Sequence, residues 1–126
     1  MTRLAVVLFA TLISALPAKS EIATAQSDGA VLRALDKVSG TITDQTLLQD
    51  TTMQVGTLAI TLSECRYPID NPAGDAFARI IIRSNKQVLP LFQGWMIASS
   101  PALSSLDHGR YDVWVLRCTI PEAETE

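Results

Sequence analysis

The sequence predicts an all-β fold, a small sandwich or barrel of six to eight short strands with one short helical turn near residues 100–107. Apolar and polar residues alternate in several short segments, as they do in strands with one buried face. Turn residues recur at intervals of roughly 8–12 residues, the spacing of small β domains. The run Ile80-Ile81-Ile82 is β-branched, which is typical of a buried strand.

The first twenty residues have the layout of a secretory signal peptide. Arg3 supplies a positive charge, and a largely apolar run extends from Leu4 to Leu16 before Pro17. As a helix this run spans roughly 20 Å, which is short of the about 30 Å of hydrocarbon in a bilayer. We therefore expect cleavage after Ser20, or alternatively after Ala25, and a periplasmic mature protein.

The mature chain has the size of one domain. We expect residues 1–20 to be the signal peptide and residues 21–30 to be a flexible N-terminus. Residues 31–119 are expected to form a single β domain, and residues 120–126 an acidic disordered tail. No later segment reaches the length of about 18 apolar residues that a membrane span needs, so none is expected after cleavage.

The strands follow in order from the alternation and the turn residues. The clearest one is Leu58–Cys65, because Leu58, Ile60 and Leu62 share one face. The predicted strand segments are Val31–Val38, a return at Thr41–Thr43 after a Ser39-Gly40 turn, Leu47–Leu48, Thr51–Val55, Leu58–Cys65, Phe77–Arg83, Val88–Phe92 and Arg110–Cys118. Residues 68–75 are expected to be a loop, since they are rich in proline, glycine and aspartate.

The segment from Ile97 to His108 is the one that does not fit a strand. Pro101 follows Ser100, the order expected for an N-cap and the first helical residue. Leu103 and Leu106 are three residues apart and can share a helical face, with Gly109 just past the end.

The net charge of the chain argues against a nucleic-acid-binding protein. The chain has 10 basic and 13 acidic residues, a net charge of −3. Removing residues 1–20 takes away Arg3 and Lys19 and no acid, which leaves 8 basic against 13 acidic residues, or −5. Without a basic stripe, neither nucleic acid nor an anionic membrane surface is an expected partner.

Cys65 and Cys118 are the only cysteines, and both remain after cleavage. In an exported protein an even pair most simply forms one disulfide, whose loss is expected to cost about 2–5 kcal/mol. Two buried free thiols are the alternative. A redox-active pair is disfavoured because there is no C-x-x-C spacing, and a metal site because the chain has one histidine. Strict alternation places Cys118 on the same face as Trp114 and Leu116.

Three stretches of this sequence resemble a known family. They read L-R-A-L-D-K-V-S-G from Leu32, G-T-L-A-I-T-L-S-E-C from Gly56, and F-x-G-W-M-x-A-S-S-P-A-L-x-x-L-x-H-x-x-Y-D-V-W-V-x-x-C from Phe92. Together they resemble the domain-of-unknown-function 2155 family, an uncharacterised exported family of alphaproteobacteria, over roughly residues 31–118. The resemblance implies an envelope-facing domain with paired cysteines, and it carries no activity or catalytic residue.

Two chemical sites are considered and disfavoured. The serines at 99, 100, 104 and 105, with Asp107 and His108, suggest a hydrolase, but adjacent acid and histidine side chains diverge and no G-x-S-x-G motif is present. Asp70, Asn71 and Asp75 offer oxygen ligands for calcium, but their spacing does not match an EF-hand loop. We predict no catalytic residue, no metal site and no cofactor.

The remaining candidate is a binding surface composed of Trp95, Met96, His108 and Tyr111, since tryptophan and tyrosine are frequent anchors of protein contacts. Trp114 alternates with valines and is expected in the core. The sequence therefore predicts a non-catalytic periplasmic binding or assembly module of the cell envelope with a protein partner. An accessory subunit of a membrane complex, or less favourably a small envelope hydrolase, is the alternative. The oligomeric state is left open.

Overall fold

The structure is a computed structural model that describes residues 15–18 and 21–120. Most of the predicted signal peptide and the acidic tail from residue 121 onward lie outside the described residues.

Eight strands in two antiparallel sheets and a single 3₁₀ turn make up the described chain, which confirms the all-β prediction. The two sheets do not close into a barrel, so the domain is a sandwich. The strands are β1 (Thr24–Ser27), β2 (Gly29–Asp36), β3 (Ile42–Leu48), β4 (Thr51–Val55), β5 (Leu58–Pro68), β6 (Phe77–Ser84), β7 (Phe92–Ile97) and β8 (Tyr111–Cys118), with the 3₁₀ turn at Pro101–Leu103.

The larger sheet has five strands and is built around β5. Strand β6 pairs along one side of β5 and carries β7 at its outer edge. On the other side, β4 pairs with residues 58–62 of β5, and β1 pairs with residues 65–68. The smaller sheet has three strands in the order β3-β2-β8. Strands β2 and β3 form the predicted hairpin, with Gly40 at φ 75° in its turn.

The described chain passes between the sheets three times, and the first two crossings are neighbours. Asp28 separates β1 from β2, and Gln49-Asp50 separates β3 from β4. The backbone N–H of Gln49 donates to the Asp28 carbonyl at 2.8 Å, so the two crossings support each other. The buried Ser27 hydroxyl lies at hydrogen-bonding distance from the carbonyl oxygens of Gly29 and Thr119. Within residues 21–30, which the sequence predicts to be a flexible N-terminus, residues 24–27 and 29–30 are paired in β1 and β2.

The core lies between the inner faces of the two sheets. Its large side chains alternate along each strand as the sequence predicts, and burying each contributes about 1.5–3 kcal/mol. The fully buried ones are Leu32, Leu58, Ile60, Leu62, Ile80, Ile82, Met96 and Val115.

Each cysteine follows a β-bulge that reverses the alternation. Ser63 is the extra residue in β5, where Leu62 pairs with Ile80 and Glu64 with Arg79. Leu116 is the extra residue in β8, where the partner of Leu32 is Val115 and that of Val31 is Arg117. Because an extra residue shifts every later side chain to the opposite face, both cysteines point into the core.

Cys65 and Cys118 form a disulfide that joins the two sheets, with Cα atoms 5.7 Å apart and a sequence separation of 53. The expected pairing is thus present. The placement of Cys118 on the face of Trp114 and Leu116 is wrong, because it assumed unbroken alternation through the bulge.

Two other local predictions are corrected. Val88–Phe92 is not a strand: Val88 is 92% exposed, and β7 begins only at Phe92. Pro90 has no N–H to donate, and pairing with β6 starts where the N–H of Leu91 donates to the Ile82 carbonyl at 2.8 Å.

The helical turn is only three residues long, and Ser100 makes no side-chain cap hydrogen bond. Leu103 is exposed and Leu106 buried, so they do not share a helical face, and Gly109 lies beyond the turn rather than at its end.

Asp36 organises the end of the β2–β3 hairpin and ties it to β8. Its carboxylate accepts backbone N–H groups of Val38 at 3.0 Å and Ser39 at 3.4 Å, and the guanidinium of Arg110 at 3.0 Å. The hydrogen bond from Arg110 is the largest of the effects that lower the pKa of Asp36 to about 2.

We expect Asp36→Asn to lower the Tm at pH 7, and we expect most of this difference from wild type to be lost at pH 2. A carboxylate whose pKa is lowered in the folded state stabilises the protein above the unfolded-state pKa of about 3.9. That contribution is lost as the pH falls through the folded-state pKa of about 2. Thermal melts from pH 7 to pH 2 measure the difference in Tm from wild type. Arg110→Gln should also lower the Tm at pH 7, and its difference from wild type should decrease over the same pH range. A difference independent of pH would contradict this account.

We expect Gly56→Ala to destabilise the domain more than Gly40→Ala. Both glycines have positive φ, 55° at Gly56 and 75° at Gly40, so each alanine costs roughly 1–2 kcal/mol of backbone strain. A Cβ at Gly56 would also clash with the Tyr111 hydroxyl, whereas one at Gly40 meets no atom within 4 Å. Urea unfolding compares the two variants; equal losses would show that Tyr111 does not pack against Gly56.

Candidate functional site

On the outer face of the three-stranded sheet, most charged side chains pair with one another. Arg33 on β2 faces Asp44 on β3, and its Nε and a terminal nitrogen each donate to the carboxylate at 2.7 Å. This bidentate contact is the main cause that lowers the pKa of Asp44. Lys37 lies 3.7 Å from Asp112. Among the charged residues of β2, β3 and β8, only Arg117 forms no ion pair with a described residue.

The groove beside Trp114 lies on the same sheet. It has a volume of about 340 Å³ and is formed where the segment after β7 passes β8. Its lining residues are Pro101, Ala102, Ser105, Leu106, Asp112, Val113 and Trp114. Trp114 is half-buried on the outward side of β8, so its predicted place in the core is wrong. The alternation that places Val113 and Val115 inside already points Trp114 outward.

The outer face of the five-stranded sheet is different, and we call it the Trp95 face. It consists of the outward side chains of β5, β6 and β7: Glu64, Arg66, Phe77, Arg79, Ile81, Arg83, Gln93, Trp95 and Ile97. Within the described chain no strand packs on this side of the sheet. Trp95 is 40% exposed on the edge strand β7, directly opposite Arg79 on β6. This arrangement leaves an indole ring and apolar side chains accessible.

The arginines of the Trp95 face are not neutralised by residues that the structure describes. Arg66, Arg79 and Arg83 form no ion pair within residues 21–120, although Glu64 is the cross-strand neighbour of Arg79. Arg66 instead donates to the Thr24 hydroxyl at 2.8 Å and to its carbonyl at 3.2 Å, which holds β1 against β5. Arg79 and Arg83 are exposed.

The four residues of the predicted binding surface do not form one surface. Met96 is 1% exposed and Tyr111 3% exposed, and both belong to the core. Adjacent strand residues point to opposite faces, so an exposed Trp95 places Met96 inside. His108 packs against Tyr111 with ring centroids 5.3 Å apart. Only Trp95 lies on an open sheet face.

His108 has a structural role in the loop before β8. Its Nδ1 accepts the backbone N–H groups of Arg110 at 3.0 Å and Tyr111 at 3.2 Å. Lys37 donates to the His108 carbonyl at 2.7 Å. Across residues 21–120, no serine hydroxyl is hydrogen-bonded to His108, so the serine–histidine pair of a hydrolase is not assembled.

Asp75 connects the loop before β6 to the segment after β7. Its carboxylate accepts the N–H of Ala76 at 2.8 Å, and the N–H and hydroxyl of Ser99 at 3.0 and 2.7 Å. These bonds use the oxygens that a calcium site would need. Among the residues described, no three His, Cys, Asp or Glu side chains are grouped to hold a metal ion.

The comparisons with known proteins agree with the resemblance seen in the sequence. In the part of the chain that the structure covers, no helix is long and apolar enough to cross a membrane. No curated protein and no solved structure matches the chain. Residues 30–118, from the second residue of β2 to the disulfide cysteine that ends β8, match the family described as "Uncharacterized protein conserved in bacteria (DUF2155)". The chain therefore belongs to the DUF2155 family.

Proposed function

We propose that this protein is a non-catalytic binding or assembly module of the cell envelope, and that it docks a protein partner on the Trp95 face. The observation that carries the proposal is a sheet face on which no described strand packs and on which the indole of Trp95, on the edge strand β7, is 40% exposed. Phe77, Ile81 and Ile97 are half-buried around it. Burying such a cluster against a partner removes apolar surface from water, which is the main source of binding energy.

The composition of the face is that of an interaction surface. Tryptophan and arginine are the residues most enriched among those that dominate binding energy at protein interfaces. The Trp95 face presents Trp95 together with exposed Arg79 and Arg83. An antiparallel sheet with one solvated face is normally polar on that face, so the apolar side chains here favour contact with another molecule.

Export to the periplasm through a cleaved signal peptide is part of the proposal. It is supported by the charged and apolar pattern of residues 1–20. The disulfide between Cys65 and Cys118 is a second support, because such bonds persist in oxidising compartments. The hydrolase alternative has no such support, since the Nδ1 of His108 is occupied by backbone N–H groups.

We expect Trp95→Ala to lose partners that wild-type protein captures from envelope extracts. Truncating a tryptophan that anchors an interface typically costs about 2 kcal/mol or more, which is roughly thirtyfold in affinity. The measurement is a pull-down followed by quantitative mass spectrometry. Val88→Ala is the matched control, because Val88 is an exposed apolar residue outside the Trp95 face.

Identical partner lists for wild type and Trp95→Ala would contradict the proposed docking face. Gel filtration of the native material separates the two forms of the proposal. Co-elution with a membrane complex favours the accessory-subunit form, and a free monomer favours a transient binding module.

A further inference from the structure

We propose that the partner of the Trp95 face is an acidic polypeptide segment whose carboxylates pair with Arg79 and Arg83. The inference rests on the docking function proposed above and names the chemistry of its partner.

The distribution of charge on the sandwich is the first argument. The whole chain has a net charge of −3, yet the Trp95 face carries three arginines and one glutamate. On the other sheet, Arg33 is held by Asp44 at 2.7 Å. Arg79 and Arg83 form no such pair with any described residue. The other sheet also has one exposed arginine without an ion pair to a described residue, Arg117, whereas the Trp95 face has two, four residues apart on one strand and beside an exposed indole.

The positions of the two arginines are the second argument. Arg79 and Arg83 are four residues apart on β6, which places their Cα atoms roughly 13 Å apart on one side of the strand. Ile81 lies between them, and Trp95 and Gln93 face Arg79 and Ile81 from β7. This pattern matches an extended segment that places an apolar side chain over Ile81 and Trp95. Its carboxylates, one on each side of that apolar residue, would face the two arginines.

The chemistry of the face favours a polypeptide over other anions. A planar guanidinium forms two parallel hydrogen bonds with a carboxylate, which gives direction as well as attraction. The apolar side chains between the arginines need an apolar counterpart, which a peptide supplies and a phosphate backbone does not.

The test is an NMR titration of the ¹⁵N-labelled full chain with two synthetic peptides. One peptide is three repeats of Glu-Thr-Val-Thr, which places glutamate and valine alternately along one side of an extended chain, and the other replaces every glutamate by glutamine. We expect the acidic peptide to shift the amides of residues 77–83 and 93–97 and the glutamine peptide to leave them unchanged. Because the contact is ionic, the Kd should rise with added salt.

Arg79→Gln and Arg117→Gln form a matched pair of charge changes. Arg117 is exposed on β8, in the other sheet. An exposed ion pair contributes up to about 1 kcal/mol, so Arg79→Gln should weaken the acidic peptide about three- to fivefold. Arg117→Gln should change its affinity by less than about twofold. Trp95→Ala should weaken the acidic peptide and leave the salt dependence in place.

Three results would overturn the inference. The first is equal binding of the glutamine peptide, and the second is an equal effect of Arg79→Gln and Arg117→Gln. The third is binding of phosphatidylglycerol vesicles on this face in preference to the peptide, which would make the partner a lipid surface. A further control replaces Glu122, Glu124 and Glu126 by glutamine and adds no peptide. If this change shifts the same amides, the protein's own tail occupies the face, and the inference of a separate partner is also overturned.

The docking function and the acidic partner fail in different ways. If Trp95→Ala loses partners in the pull-down and Arg79→Gln/Arg83→Gln keeps them, the face binds a partner that is not acidic. If both variants keep every partner, the docking function itself is wrong.

Discussion

The disulfide between Cys65 and Cys118 is the constraint on which the sandwich depends, because it joins the inner faces of two sheets that do not close into a barrel. With a sequence separation of 53, the chain-entropy contribution is about 4 kcal/mol, a large share of a typical stability of about 5–15 kcal/mol. Ser27 pairs with Cys65 and Ala30 with Cys118, so the crossing of the chain at Asp28 lies beside the bond. At the other end of the β2–β8 pair, the ion pair of Asp36 with Arg110 links the end of β2 to the residue before β8.

Because the disulfide lies between the inner faces of the sheets, it places no constraint on the side chains of the two outer faces, and these faces differ in composition. On the three-stranded sheet, Arg33 is bound to Asp44 across neighbouring strands, and Arg117 is the exposed arginine without an ion pair to a described residue. The five-stranded sheet leaves Arg79, Arg83 and Trp95 exposed on two neighbouring strands. A rigid scaffold keeps the spacing of such side chains fixed, which lowers the entropy that binding must overcome. The asymmetry between the faces is the physical basis of the proposed docking role.

Much of the fold was predictable from alternation alone, because β5, β6 and β8 each bury every second residue over most of their length. The two bulges were not, since an extra residue such as Ser63 or Leu116 has no compositional signal and is seen only in the register with a partner strand. Strand β1 was missed because its four residues, T-A-Q-S, are small and polar, and its pairing with β5 comes from long-range contacts. At the candidate site, the residue type of Trp95 was enough to propose it as part of a binding surface. Alternation along the strand would have excluded Met96 from that surface. The unpaired arginines became visible only once the strands were placed side by side.

The most direct test of this account is the free energy of unfolding of the purified protein in urea, measured with and without a reductant. The account predicts a loss of about 2–5 kcal/mol on reduction, and the same loss in a Cys65→Ala/Cys118→Ala protein that no longer responds to reductant. An unfolding curve that reductant does not move, in protein whose thiols are shown to be reduced, would contradict the claim that the bond between the sheets holds the sandwich together.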